Sequence, residues 1–210
     1  MRQTQDPIAL LESTKLLEAA FTAAATDIVT CAGNGFVTGD KLYATTSGAD
    51  LPAGLAISTP YYWVRIDADT GYFNSKPGDS SADRVDITDA GTGTHTLHLK
   101  SRIIDVEDFK NIQLSLYTAS SANFTSNVQG SAQVDVDFEA AASATNRWDY
   151  IQMVDLEDGS TVDGDTGFAP AGTDDNREFE VNVNGLKWVC IDISAWTAGT
   201  LDARVISYSD

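Results

Sequence analysis

The chain has 210 residues, of which 42% are hydrophobic and 21% charged, a composition that supports a packed core and excludes wholesale disorder. No apolar run approaches the roughly 18 residues that a membrane span needs, so we expect no membrane partner. The formal net charge is −18, from 31 acidic and 13 basic residues. Because nucleic-acid affinity depends on Lys and Arg that neutralise phosphates, and the basic residues here are scattered singly, we expect no nucleic-acid partner.

The sequence indicates a cytoplasmic compartment. Arg2 is followed by Gln, Thr and Asp6-Pro7, and not by an apolar region with a small-residue cleavage site. We therefore expect synthesis and folding in a cytoplasm. Cys31 and Cys190 lie far apart in segments of different texture, and two cysteines are too few for a disulfide framework, so we predict two free, buried thiols.

The first half of the chain predicts short strands, taken here in chain order. The Ala- and Leu-rich residues 16–25 favour either a helix or a loop. Short strands dense in Gly, Thr and Asp follow at residues 27–30, 41–46, 61–66, 71–74, 85–88 and 94–99. This texture predicts a small compact β domain.

The second half of the chain predicts longer strands. Ile112, Leu114 and Leu116 alternate with polar or amphipathic residues, and the same period of two recurs in residues 179–183, 188–193 and 201–205. This alternation is typical of strands with one face on a core and one in water, and such strands are usually antiparallel. Asn184-Gly185 between two such runs predicts a tight hairpin. Residues 139–145 favour a short helix or a loop.

Four successive motifs carry a resemblance. They are GFVTGD at residues 35–40, LPAGL at 51–55, PYYWV at 60–64 and VDITDAGTGTHTL at 85–97. In this order they resemble a small module that recurs in virion proteins of tailed bacteriophages. One departure is Asn34, where such modules commonly have His before Gly-Phe.

The remainder of the chain resembles an uncharacterised class of phage structural proteins. The motifs are FKN at residues 109–111, ASSANFT at 119–125, VQGS at 128–131, NRWDY at 146–150, DGDTG at 163–167 and FEVNVNGLKW at 179–188. In shorter proteins of that class, an opening strand like residues 8–13 runs almost directly into a strand like residues 103–106. The many short strands and few helical stretches predict an all-β, antiparallel protein, either a jelly-roll-like β-sandwich or a barrel. The resemblance then implies a discontinuous sandwich of residues 1–20 and 101–210, with residues 21–100 inserted as a small β domain.

The densest acidic stretch offers candidate calcium ligands. They are Asp155, Glu157, Asp158, Asp163 and Asp165, since Ca²⁺ takes six to eight hard oxygens, often from loops. The spacing does not match an EF-hand. The interpretation that we favour is a pair of solvated Asp-Gly turns, and we expect no metal and no cofactor.

The aromatic residues offer candidate interface or ligand positions. Tyr61, Tyr62 and Trp63 are consecutive, so at least one is expected to face outward from its strand. Trp148 and Trp196, with Trp188, could form a platform on which a sugar stacks. We favour core or intersubunit contacts for all of them.

The sequence shows no catalytic motif. A nucleophile elbow and a glycine-rich phosphate loop are both missing, and His95 and His98, three apart on one predicted strand, should point to opposite faces. We therefore expect no enzyme activity.

The resemblance implies membership of a virion. We expect a capsid decoration protein on the head exterior, and the alternatives are a tail- or fibre-associated protein and a carbohydrate-binding module for host attachment. The expected partners are the major capsid protein or other virion proteins. We also expect the larger domain to make the assembly contacts, the small domain to project outward, and the chain to form a homo-oligomer. A trimer is favoured by analogy with the threefold positions of a capsid lattice.

Overall fold

The protein is almost entirely β. The computed structural model describes residues 3–4, 6–12, 15–57, 59–134, 148–171 and 175–209. Within these ranges, every pairing between strands is antiparallel, which confirms the predicted all-β, antiparallel fold class. The strands are β1 (Gln3–Thr4), β2 (Ile8–Leu11), β3 (Glu18–Ala23), β4 (Val29–Thr30), β5 (Lys41–Thr46), β6 (Pro60–Arg65), β7 (Thr70–Asn74), β8 (His95–Leu99), β9 (Ile104–Asp105), β10 (Asn111–Ser131), β11 (Asp149–Ile151), β12 (Met153–Asp155), β13 (Thr161–Val162), β14 (Arg177–Asn182) and β15 (Trp188–Ser209). A single turn of 3-10 helix, Ser81–Asp83, is the helical element of these ranges, and no helix described here is both long and apolar enough to cross a membrane.

The chain divides into two compact units. The large unit consists of Met1–Ser13 and Ser101–Asp210, and the barrel unit consists of Thr14–Lys100. Each unit holds its own chain ends together. In the large unit, the amide of Arg102 donates to the carbonyl of Leu10 at 3.0 Å, and in the barrel unit the amide of Leu99 donates to the carbonyl of Leu17 at 2.9 Å. The barrel unit is therefore inserted at one point of the large unit, between β2 and the segment that leads into β9.

The barrel unit is a closed sheet of six strands in the order β3-β4-β7-β6-β5-β8, which β3 closes by pairing with β8. Aromatic rings fill it: the ring centroid of Phe73 lies 5.7 Å from that of Trp63 and 5.5 Å from that of Tyr61, and Phe36 lies 5.8 Å from Trp63. A Cβ atom on Gly71 would come within 2.4 Å of the Trp63 ring, so glycine is what lets this large ring lie against β7. Because the sheet closes on itself, it has no free edge along β3 to β8.

The prediction of a helix or loop at residues 16–25 is wrong, because β3 occupies most of this segment. Its inward side chains are Ala19, Phe21 and Ala23, and the intervening residues are more exposed. Alanine has a high helix propensity, but pairing with β8 and β4 closes the barrel and buries Phe21, and this tertiary gain outweighs a propensity of a few tenths of a kcal/mol per residue.

Two further segments differ from the prediction or lie beyond it. Residues 85–88 do not form a strand. The amide of Val85 bonds to the carbonyl of Phe73 on β7, but the amide of Ile87 bonds to the Asp27 carboxylate at 2.8 Å, so a side chain and not a strand satisfies the backbone there. The helix or loop predicted at residues 139–145 lies outside the described residues.

Asn34 closes the loop that precedes Phe36. Its amide nitrogen donates to the carbonyl oxygens of Cys31 and Ala68, and its Oδ1 accepts from the amide of Phe36 at 2.6 Å. The side chain is buried, so it supplies the polar partners that this turn needs inside the barrel unit.

The large unit is one hydrogen-bonded sheet built on two long strands. The strand order is β1-β15-β10-β14-β12-β13, with β2 and β9 also on β15 and β11 on β10. The strands β10 and β15 pair along their length, from Asn111 opposite Tyr208 to Ser131 opposite Trp188. Their register shifts between Ala119 and Thr125, so the ladder is interrupted in the middle.

The interruption coincides with an unusual backbone. Ser120, Ser121 and Ala195 have φ values of 63°, 56° and 50°, in the left-handed region that glycine favours, and Gly199 on β15 has a φ of 90°. Bulges of this kind bend a strand. Each long strand therefore contributes to two halves of the sheet, one on either side of the bend. The two halves contain different neighbouring strands.

The hairpin predicted at Asn184-Gly185 is wrong in its pairing. The two residues do form a turn, with φ of 86° at Gly185 and a bond from the amide of Leu186 to the carbonyl of Val183. However, β14 and β15 do not pair with each other, because β10 lies between them in the sheet. The turn therefore connects strands on opposite sides of β10.

Candidate interaction surface

The outer face of the large unit is set by the alternation of β10. Ile112, Leu114 and Leu116 are fully buried, as the period of two predicts, and Gln113, Ser115 and Tyr117 lie on the other face. Antiparallel pairing places Glu178 of β14 opposite Ser115 on one side, and Arg204 of β15 opposite it on the other. The result is a row of polar side chains across three adjacent strands.

The carboxylate of Glu178 is held by three neighbours on this face. Its Oε2 accepts from Ser115 Oγ at 2.7 Å and from Gln113 Nε2 at 3.0 Å, and its Oε1 accepts from Tyr117 Oη at 3.1 Å. All three donors come from β10 at intervals of two residues, so the strand period itself aims them at one carboxylate.

Next to Glu178, Arg177 gathers three further carboxylates. Its Nε donates to Asp175 at 2.8 Å, and its Nη1 contacts Asp155 at 3.3 Å and also Glu157. The hydrogen bond to Asp175, reinforced by the charges of Asp175, Glu157 and Asp155, raises the pKa of the Arg177 guanidinium above its ordinary value. One cation is thus shared by three anions, which leaves this edge of the sheet negative.

A shallow groove of about 420 Å³ joins these groups. We call it the Glu178 groove, and it is lined by Gln113, Leu156, Glu157, Asn176, Arg177 and Glu178. Leu156 follows β12 and keeps 49% of its surface exposed, and Tyr117 beside the groove keeps 44% exposed. The groove therefore combines carboxylates with an exposed aliphatic side chain, and the exposed ring of Tyr117 lies next to it. Such a combination is more typical of a binding surface than of a core.

The candidate calcium ligands take three separate local roles. Asp155 and Glu157 bind Arg177, while Asp158 accepts from the amide of Ser160 and Asp163 from the amides of Asp165 and Thr166. The hydroxyl and amide of Ser160 lower the pKa of the Asp158 carboxyl. Among the residues that the structure describes, no three His, Cys, Asp or Glu side chains are grouped so that they could hold a metal ion.

The aromatic candidates of the barrel unit are core residues. Tyr61, Tyr62 and Trp63 are all buried, so none of them is exposed to solvent, although alternation does place Tyr62 on the opposite face from the other two. Tyr61 and Trp63 contact Phe73 inside the barrel. Tyr62 lies on the other face, opposite Asn74, whose side chain binds the carbonyls of Gly78 and Ser80. The loop after β7 therefore binds back onto Asn74 on this face.

The tryptophans of the large unit do not form a shared platform. Trp148 is buried, whereas Trp188 and Trp196 are half-buried and stand eight residues apart on β15. Residues 188–194 pair regularly with β10, and six residues of extended strand span about 20 Å. The two rings are therefore too far apart to stack on one sugar. The indole nitrogen of Trp196 donates to the carbonyl of Gly199 at the strand bend.

The histidines and cysteines have local structural surroundings. On β8, His95 is buried and His98 lies on the opposite, half-buried side, which confirms the predicted alternation. Both cysteines are free; Cys31 is buried, and Cys190 is half-buried where a buried thiol was predicted. Burial, aided by the charge of Asp69, raises the pKa of the Cys31 thiol to about 11.

Sequence reasoning missed Glu178, Arg177 and Tyr117 as members of one site. The alternation of β10 predicted an outward Gln113, Ser115 and Tyr117, but the prediction of a hairpin at Asn184-Gly185 obscured the pairing of β14 with β10. The available sequence signal is the charged pair Arg177-Glu178, which begins β14 and directly precedes its alternating apolar residues.

Comparison with known proteins adds little. No protein-family model matches the chain, and no curated protein matches it. Among solved structures, the chain is similar to the PBSX exported protein XepA with 12% sequence identity and a TM-score of 0.37, over 100% of this chain and 82% of that one.

Proposed function

We propose that this chain is a structural, non-catalytic component of a tailed-bacteriophage particle that decorates the exterior of the capsid. Its partners are then the major capsid protein or other virion proteins. The resemblance of residues 35–97 to a recurring virion module, and of residues 109–188 to a class of phage structural proteins, supports this assignment.

The observation that carries the proposal is the way in which the barrel unit is inserted. The chain leaves the large unit after β2 and returns within one hydrogen bond of it, at Leu10 and Arg102. β2 itself still pairs with β15, opposite Arg204 and Val205. An insertion that leaves the host sheet paired adds a module without disturbing the host's other surfaces. We therefore assign the particle contacts to the large unit and a solvent-facing position to the barrel unit.

The assembled form is proposed to be a homo-oligomer, with a trimer favoured by the threefold positions of capsid lattices. A net charge of −18 on each chain makes neighbouring copies repel at long range. Association then depends on close apolar contacts, because exposed salt bridges contribute at most about 1 kcal/mol each. Counting the copies that touch one another on isolated particles tests this part of the proposal.

Imaging of purified particles tests the location. A tagged full-length chain is expressed during phage growth, and its copy number and position are read from electron microscopy of the particles. Many copies distributed over the shell are expected. A few copies at one vertex would contradict capsid decoration and favour a tail or fibre component, and a chain found only outside particles would overturn virion membership.

A deletion variant tests the division of labour. Residues 14–100 are removed and the ends are joined by a short glycine linker, which the proximity of Leu10 and Arg102 allows. We expect the shortened chain to be incorporated into particles at the same copy number as the full chain. Loss of incorporation by a variant that still shows the amide protection of β10 and β15 would show that the barrel unit makes the contact instead.

A further inference from the structure

We propose that the Glu178 groove is a docking site for a basic segment of a partner protein, with an arginine side chain seated on Glu178. This inference goes beyond the proposed function, because it concerns the chemistry of the site and holds wherever in a particle, or outside one, the chain acts. It rests on the acceptor geometry of Glu178, on the surplus of negative charge around it, and on the two exposed apolar side chains beside it.

The acceptor geometry leaves a place for one more donor. An ionised carboxylate offers about four lone-pair positions, and three of them are used by Gln113, Ser115 and Tyr117. Two of these donors bind Oε2 and one binds Oε1, so among the residues that the structure describes the open position is on Oε1. Because the neighbours already fix the orientation of the carboxylate, an incoming donor does not have to immobilise it, which lowers the entropic cost of binding.

The surrounding charges select a cation. Arg177 is engaged by Asp155, Glu157 and Asp175, and Arg204, across β10 from Glu178, is held by two hydrogen bonds to Asp202 at 2.8 and 3.2 Å. Within the described ranges no Lys or Arg is paired with Glu178. A chain with a net charge of −18 also attracts a basic segment from a distance and raises its rate of association.

The apolar neighbours favour arginine. A long cationic side chain packs its methylene groups on apolar surface while its head reaches a polar partner. Tyr117 and Leu156 offer such surface on the two sides of Glu178: the Tyr117 hydroxyl bonds to the Glu178 side chain, and the Leu156 amide bonds to the Glu178 carbonyl at 2.9 Å. A planar guanidinium can also stack on the tyrosine ring, which a lysine ammonium does less well.

The test is titration of the full-length chain with a capped tetra-arginine peptide by calorimetry at low salt. The matched variants are Glu178→Gln in the groove and Glu180→Gln on the same strand, whose carboxylate binds the Tyr208 hydroxyl. Both remove one negative charge and keep the side-chain shape. We expect Glu178→Gln to weaken the affinity roughly tenfold, as for a lost charged hydrogen bond, and Glu180→Gln to weaken it by less than about twofold.

Two further readouts keep the test decisive. In the wild-type chain, amide chemical shifts at Tyr117, Leu156 and Glu178 should move on addition of the peptide, and a capped tetra-lysine peptide should bind more weakly. Equal weakening by the two variants, or shifts spread over the whole acidic surface, would overturn the proposal in favour of non-specific attraction. Displacement of the peptide by equimolar CaCl₂ would overturn it in favour of a cation site.

Discussion

The two units of this protein differ in whether their sheets have exposed strand edges. The barrel unit closes six short strands on themselves around Phe36, Trp63 and Phe73. The large unit keeps an open sheet, built on two strands of 21 and 22 residues, with a largely aliphatic core. In a closed sheet the N–H and C=O groups of every strand pair with a neighbouring strand, so no edge is free. An open sheet presents a face and edges to the surroundings. The open sheet supports the proposal that the large unit makes the contacts to partners, whereas the sheet of the barrel unit is closed on itself.

The sharpest test of this comparison is to damage one core at a time. Phe73 in the barrel and Phe179 in the large unit are both fully buried, and each packs against another aromatic ring, Trp63 and Phe168 respectively. We expect Phe73→Ala and Phe179→Ala each to destabilise their own unit by about 3–5 kcal/mol, through lost burial and a cavity. Hydrogen exchange measured strand by strand gives the readout. Loss of protection in β10 and β15 in the Phe73→Ala variant would show that the two units are not independent.

A second prediction concerns the barrel core at alkaline pH. The raised pKa of Cys31, about 11 against 9.0 for a free thiol, means that the folded barrel keeps this proton after the unfolded chain has lost it. The barrel should therefore lose stability as pH rises from about 9 to about 11. Since the thiolate is the reactive species and Cys31 is buried, native Cys31 should resist labelling at a pH where a free thiol reacts.

The labelling uses two variants, Cys190→Ser, which leaves Cys31, and Cys31→Ser, which leaves the half-buried Cys190. Iodoacetamide at pH 8 should modify Cys190 readily and Cys31 only after denaturant is added. Rapid modification of Cys31 in the folded chain would mean that the barrel opens far more often than its closed sheet suggests.

A third prediction concerns the bend of the large unit. Ala195 is exposed and has a φ of 50°, which costs a non-glycine residue about 1 kcal/mol. Ala195→Gly should therefore raise the free energy of unfolding of the large unit by up to about 1 kcal/mol, measured by chemical denaturation. Ala198→Gly is the matched control, because Ala198 has no positive φ, and it should destabilise slightly. The same sign of change for both variants would contradict strain at the bend.

The smallest expected effect is that of a chelator. The acidic stretch is engaged by Arg177 and by turn amides, so EDTA should leave the melting temperature of both units unchanged within error. Calorimetry with and without 5 mM CaCl₂, a concentration of about 100 times a weak site's Kd of order 50 μM, checks this, since a bound ion stabilises the folded state by mass action. A rise of several degrees with calcium would revive the metal interpretation of Asp155 to Asp165.

The alternation of apolar and polar residues predicted the strands that have one face exposed to solvent. The alternation of Ile112, Leu114 and Leu116 needs only the period of two and the preference of apolar side chains for a core, and it is confirmed in β10. Residues 16–25 lack this clear alternation, and the prediction failed there. Alanine at residues 19, 20 and 23 fits a helix as well as a strand, and only closure of the barrel decided between the two.

The candidate site was predictable only in fragments. The sequence by itself determined the all-β class, the acidic surface and the outward side of β10, because composition and side-chain periodicity act within a few residues. Tertiary structure decided the rest. It placed β14 beside β10, gave Glu178 its three donors, shared Arg177 among three carboxylates from two segments, and buried Tyr62. These outcomes depend on which distant segments pair, and strand pairing between residues far apart in the chain leaves no local signal in either partner.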